Sequence, residues 1–227
     1  MIQCLSHLAS HFRGVTTHLM TISLALTVSV SLMLLPARAA ETPKIVVFGD
    51  SLVAGYGLPA SQAFPPVLQA MLAEKGIKAE LVNAGVSGDT ATAGLARLDW
   101  SIPDDTQGVI LELGANDMLR GLDPAVTKTT LDSIIKRLKE RNIPVLLAGM
   151  QAAPNLGADY VQRFNAIYPE LAKAHGVTLY PFFLDGVAGN ASLNLPDGLH
   201  PTAEGVRRIA TAILPTVEQF IVSLPKR

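Results

Sequence analysis

A chain of 227 residues, 49% hydrophobic and 16% charged, is sized for one domain with a substantial core. Its 18 basic and 19 acidic residues give a formal charge of −1, and neither a basic face nor a long charge run offers itself to nucleic acid or an anionic membrane. The single cysteine, Cys4, excludes a thiolate metal site, and it lies too near the start to serve a folded domain as nucleophile.

The chain opens with Arg13 and three histidines ahead of an apolar run from Leu19 to Leu35, followed by "PARAA". A weakly basic start, a hydrophobic stretch and small residues at Ala37 and Ala39 have the form of a signal peptide. The run is near the lower length limit for a membrane anchor, which is the competing reading. Its five Ser/Thr residues and Pro36 before the A-x-A site favour cleavage after Ala39. Removing 1–39 leaves 227 − 39 = 188 residues, 40–227, with a charge of 16 − 19 = −3 and no cysteine. The expectation is one exported domain, periplasmic or secreted, with no stable membrane insertion after cleavage.

Beyond the leader, short apolar runs alternate with amphipathic segments. "KIVVFG" (44–49) precedes a helical pattern over 61–76, and "AELVNAG" (79–85) precedes one over 89–100. "GVILELG" (108–114) precedes 123–142, where Leu131, Ile134, Ile135 and Leu138 form one stripe. "PVLLAGM" (144–150) precedes 159–176, and "VTLYPFF" (177–183) leads through a loop to a last helix over 201–221. Continuously apolar strands separated by helices imply a parallel sheet covered on both faces, hence a three-layer α/β/α domain with five strands. Pro65 and Pro66 suit a first helical turn, whereas Pro169 is expected to kink or break its helix.

Ligands of open parallel sheets bind outside the carboxyl ends of the strands. Polar, turn-forming residues follow four of the five strands: Gly49-Asp50-Ser51, "NAGVSGDT" (83–90), "GANDMLRG" (114–121) and "LPDGLHPTAEG" (195–205). Ser51 is either part of an ordinary turn or a nucleophile held at a strand end. Asp197 and His200, three positions apart, either shape a turn before the last helix or form a carboxylate–imidazole pair able to activate that serine. The Ser51 amide, the Gly85 amide and the Asn116 side chain are candidate oxyanion donors; the plainer readings are a hinge glycine and a capping asparagine. His175, in "KAHG", reads as a surface residue at a helix end.

These four blocks resemble, in order and spacing, those of the GDSL or SGNH hydrolases. "GDSLVAGYGLP", "LELGANDMLRG" and "FNAIYPELAKAHGVTLYPFF" are most similar to the bacterial thioesterase I/lysophospholipase L1 and arylesterase branch, with a likeness running from about Lys44 to Phe220. The resemblance implies a flavodoxin-like five-stranded sheet, Ser51 as nucleophile, and Asp197 with His200 as its acid–base pair. It further implies an oxyanion hole of Ser51, Gly85 and Asn116, no cofactor or metal, and a small-molecule ester or thioester as substrate. Met118 stands where many relatives have glycine, so Met118 and Leu119 are expected to meet the acyl group. The stretch before Asp197, "DGVAGNASLNL" (185–195), is closer to the arylesterase members than to the long-chain thioesterase. A carbohydrate acetyl esterase on the same fold and a non-catalytic acyl- or lipid-binding protein are the alternatives. A Mg²⁺-dependent phosphatase with an aspartate nucleophile is disfavoured, because position 49 is glycine.

Overall fold

In the computed structural model residues 42–225 are described; the leader read at 1–39 lies outside them. Ile45–Phe48 is a run of four apolar residues, and all four are fully buried. Strand β1 (Lys44–Gly49) therefore runs through the middle of the sheet, between β2 (Glu80–Gly85) and β3 (Gly108–Glu112). Beyond β3 come β4 (Val145–Ala148) and β5 (Thr178–Tyr180), giving the order β2-β1-β3-β4-β5 with every neighbour parallel. All five expected strands are present. Those read at 108–114, 144–150 and 177–183 end earlier, because their last residues leave the ladder to form loops. The two edge strands are only partly covered, which is why "AELVNAG" mixes polar residues into its run.

The helices flank the sheet in two layers. Short α1 (Ser51–Ala54) follows β1, and α2 (Phe64–Glu74) packs on the last helix, α7 (Ala203–Ser223). On the other side α3 (Ala91–Ser101) and α6 (Ala158–His175) both pack on α5 (Pro124–Glu140), while α4 (Ala115–Leu119) is a five-residue helix after β3. The stripe Leu131, Ile134, Ile135 and Leu138 is fully buried, as its spacing requires.

Pro65 and Pro66 fall in the first turn of α2, where no intrahelical N–H is lost. Pro169 corrects the expectation of a break: α6 runs unbroken through it, as α7 does through Pro215. Proline removes one hydrogen bond, but buried Phe164, Ile167, Tyr168 and Leu171 hold both sides of Pro169 against the core, and packing outweighs that loss. Among the described residues no helix is long and apolar enough to cross a membrane.

With this strand order the chain leaves β1 for β2 on one side, then returns to β3 on the other. The carboxyl ends of β1 and β3 thus form the crevice in which such sheets bind ligands. In register, Gly49 lies between Gly85 and Glu112, so three of the four polar blocks begin at one level of the sheet.

Candidate active site

The turn after β1 is set by Asp50. Its Oδ1 accepts from the Leu52 amide at 3.0 Å, capping α1 and fixing Ser51 as the first helical residue. Ser51 is buried at 8% exposure, and it sits where the unused amides of a helix start point outward.

The loop before α7 folds back on itself between 193 and 202. Leu195 donates to the His200 carbonyl at 2.7 Å and Thr202 to the Leu193 carbonyl at 2.8 Å. Inside this turn Asp197 Oδ1 accepts from the amides of Leu199 (2.9 Å) and His200 (3.0 Å), which locks the carboxylate plane. Asp197 Oδ2 then lies 2.7 Å from His200 Nδ1, and His200 Nε2 lies 2.9 Å from Ser51 Oγ. Across 149 residues of sequence, serine, imidazole and carboxylate form one continuous line. The Tyr56 ring lies against the imidazole, with centroids 4.4 Å apart.

Gly85 lies against Asp50 and Ala54 at the two ends of the serine turn, and Asn116 against Asp50. A Cβ at position 85 would fall 2.2 Å from the Ala54 nitrogen and 2.8 Å from the Asp50 carbonyl oxygen, so only glycine lets β2 lie against α1. Its amide donates to Asn83 Oδ1 at 3.0 Å. Asn116 follows Gly114, whose φ of +117° and close approach to the Tyr168 hydroxyl also demand glycine. Both Asn116 amide hydrogens are engaged: Nδ2 donates to Asp50 Oδ2 and to the Asp89 carbonyl, each at 3.0 Å. Asp89 is itself held by Arg97, whose Nε donates to it at 2.6 Å and whose Nη2 donates to the Gly49 carbonyl at 2.9 Å.

Three carboxyl groups around the serine behave differently. Amide hydrogen bonds from His200 and Leu199, then the imidazole, bring Asp197 down to about 2, so it stays ionised across the working range. Burial pushes Asp50 up to about 6, against hydrogen bonds from Leu52, Glu112 and Asn116 that favour its charge. Glu112, at the end of β3 and fully buried, is raised well above the ordinary carboxylate range, first by burial and then by the Asp50 charge.

Ser51, Asp197, His200, Gly85 and Asn116 are thus brought to one edge of the sheet. Of the residues expected to meet the acyl group, Leu119 is 51% exposed, whereas Met118 is packed into the core at 8%. His175 corrects its reading as a surface residue: its ring is largely covered where α6 packs on α5, with Nε2 2.7 Å from Asp132 Oδ1. At position 49 a Cβ would meet Val53, the Glu112 carbonyl and Glu112 Oε2 within 2.7 Å, so no carboxylate fits there. From the sequence alone Asp50 and Asn83 read only as turn residues, and Glu112 and Tyr56 carried no role. The signal for Glu112 was a lone acid inside the apolar run "GVILELG".

A family model described as GDSL-like Lipase/Acylhydrolase matches residues 47–208. The chain belongs to that family. Among relatives of this GDSL chain, "Esterase TesA" of Pseudomonas aeruginosa is 37% identical over 200 residues, covering 88% of this chain and 99% of its own. "Thioesterase 1/protease 1/lysophospholipase L1" of Escherichia coli is 40% identical over 180 residues, covering 79% of this chain and 85% of its own. The crystal structure of AlinE4, described as an SGNH-hydrolase family esterase, is 45% identical with a TM-score of 0.68, over 80% of this chain and 98% of that one. The SGNH fold inferred from the sequence is the fold observed.

Proposed function

We propose that the chain is a serine esterase working through an acyl-enzyme. The observation that carries this is the unbroken Asp197–His200–Ser51 line, with contacts of 2.7 and 2.9 Å. His200 Nε2 takes the proton from Ser51 Oγ, which attacks the ester or thioester carbonyl, and the Asp197 carboxylate stabilises the imidazolium so formed. The leaving group receives that proton from His200. Water then attacks the acyl-enzyme by the same route and frees the acid.

The tetrahedral oxyanion is met by the Ser51 and Gly85 amides and by Asn116 Nδ2. The Gly85 and Asn116 donors serve Asn83 Oδ1, Asp50 and the Asp89 carbonyl. A neutral ester oxygen gains little by displacing such partners. A developing oxyanion gains more where the partner it displaces is neutral, as Asn83 Oδ1 and the Asp89 carbonyl are, because charge-assisted hydrogen bonds are about twice as strong as neutral ones; the Asn116 bond to Asp50 stays in place. The site therefore favours the transition state over the bound ester.

Tyr56, Val86, Leu119 and Leu199 are exposed large apolar side chains carried by the loops and helices that hold these residues. They offer an open apolar rim, which suits short acyl and aryl groups. The domain acts in the periplasm or outside the cell, starting at Ala40. The test is hydrolysis of p-nitrophenyl acetate, butyrate, octanoate and laurate by protein recovered from the periplasmic fraction, with its first residue read by mass spectrometry. Turnover is expected to be fastest on the two shorter esters and to vanish in Ser51→Ala. A Ser51→Ala protein as active as the parent sinks the assignment, and a laurate optimum sinks the preference for short chains.

A further inference from the structure

Glu112 is a buried acid that the mechanism above leaves unused. It is 0% exposed at the carboxyl end of β3, and among the described residues its Oε1 finds no hydrogen-bond partner. Its Oε2 accepts a long 3.4 Å bond from the Asp50 amide, and the two carboxyl groups are close enough for each to bear on the ionisation of the other. An ionised carboxylate does not persist in such a place with an oxygen unpartnered. Two adjacent buried carboxylates do not both ionise either; Glu112 is the neutral member and Asp50 the charged one. Between two such groups the neutral acid is the one able to donate and the carboxylate the one able to accept. Asp50 spends its remaining capacity on the Leu52 amide and on Asn116 Nδ2, each at 3.0 Å. His200 bears on Asp50, Tyr168 interacts with both acids and with Asp117, and Arg97 donates to the carbonyl of neighbouring Gly49.

We propose that Glu112 is a positioning residue for the oxyanion site: it holds Asp50, and Asp50 in turn holds the Asn116 amide and the start of the serine helix. Glu112 touches no substrate; it acts by removing freedom from the group that does. The inference rests on the proposed role of Asn116.

The test compares Glu112→Gln with Glu112→Met by steady-state kinetics on p-nitrophenyl butyrate from pH 5 to 9, with thermal melts to show that both are folded. Gln keeps a donor at the same reach, whereas Met fills a similar volume without one. Glu112→Met is expected to lose roughly 10- to 100-fold in kcat with KM within about threefold, as misplacement of an aligned group does. Its acid limb moves to higher pH, because Asp50 stays buried but loses a donor that favours its charge. Glu112→Gln rescues most of the kcat and returns the acid limb to its original position. A folded Met variant with parental kcat and acid limb overturns the proposal, as does a Gln variant impaired as deeply as Met. If the Met variant does not fold, Gln decides: a loss beyond about tenfold overturns the role. Ser51→Ala in the same assay separates the two levels. Activity that survives it removes the proposed function and the Glu112 role together. Activity that vanishes, beside an unaffected Met variant, removes the Glu112 role alone.

Discussion

Asn116 spends both hydrogens of its amide before any substrate arrives, one on Asp50 and one on the Asp89 carbonyl. In the proposed mechanism the Asp50 bond fixes the direction of the amide, and the hydrogen held by the Asp89 carbonyl is the one exchanged for a developing oxyanion. Asn116→Ala is expected to lower kcat by roughly 10²–10³, the usual cost of one oxyanion donor, and to leave KM nearly unchanged. Steady-state kinetics on p-nitrophenyl butyrate decide it, and an unchanged kcat would remove Asn116 from the oxyanion site. At this scale the sequence was informative where chemistry allows few residue types. A serine at a strand end, a D-x-x-H turn, a glycine and an asparagine after strands are all nameable without coordinates. Asp50 and Glu112 were not, because their behaviour comes from burial beside each other across 62 residues of chain. Local pattern records a charged residue; it does not record how much water the fold removes from it.

Among the elements, the contact that matters most to chemistry is between β2 and α1. Asn83 Nδ2 on β2 donates to the Val53 carbonyl on α1 at 3.2 Å, and Gly85 lies against the nitrogen of Ala54. The helix that holds Ser51 is thus seated on the neighbouring strand as well as on its own. Gly85→Ala places a methyl group within 2.2 Å of backbone, which cannot turn aside as a side chain would. Overpacking of this kind costs about 1–3 kcal/mol, a fall of roughly 3–10 °C in Tm for a domain of this size. Tm and kcat are expected to fall together, because the strain is relieved by moving α1 and Ser51 with it. A Gly85→Ala protein with the parental Tm and kcat would show that β2 does not seat the helix. Alternation of strands and helices was legible at this scale, since period and composition set it. The five-residue α4 and the continuity of α6 through Pro169 were not. Both depend on burial against neighbours: Ala115, Asp117 and Met118 are covered, as is the row around the proline.

For the molecule as a whole, the buried acid pair links catalysis to stability. Burial pushes Asp50 up to about 6 in the fold against 3.8 ordinarily, and it raises Glu112 well above the usual carboxylate range. Between those values the native protein keeps protons that the unfolded chain has released. The stability from Asp50 is therefore fully present below about pH 4 and is lost as pH rises through 6, while Glu112 keeps its proton beyond that. Asp197 has the opposite sign: its pKa of about 2 contributes above the ordinary value and is lost as pH falls towards 2. That second contribution is small, since the carboxylate is partly open to water and is screened. Asp50→Asn isolates the first effect, because its side chain is neutral throughout. Its Tm, measured relative to the parent, is expected to climb as pH rises from 4 to 7. The climb corresponds to an energy on the order of 2–3 kcal/mol, from about 1.4 kcal/mol per tenfold change in proton affinity. Its esterase activity is expected to lie below that of the parent throughout this range, because an amide at position 50 presents a donor to the Asn116 donor and releases it. A Tm difference that stays flat from pH 4 to 7 would mean that Asp50 enters the fold without a penalty for its charge. A rising difference would mean that the fold gives up stability at neutral pH to keep a charge behind the oxyanion site.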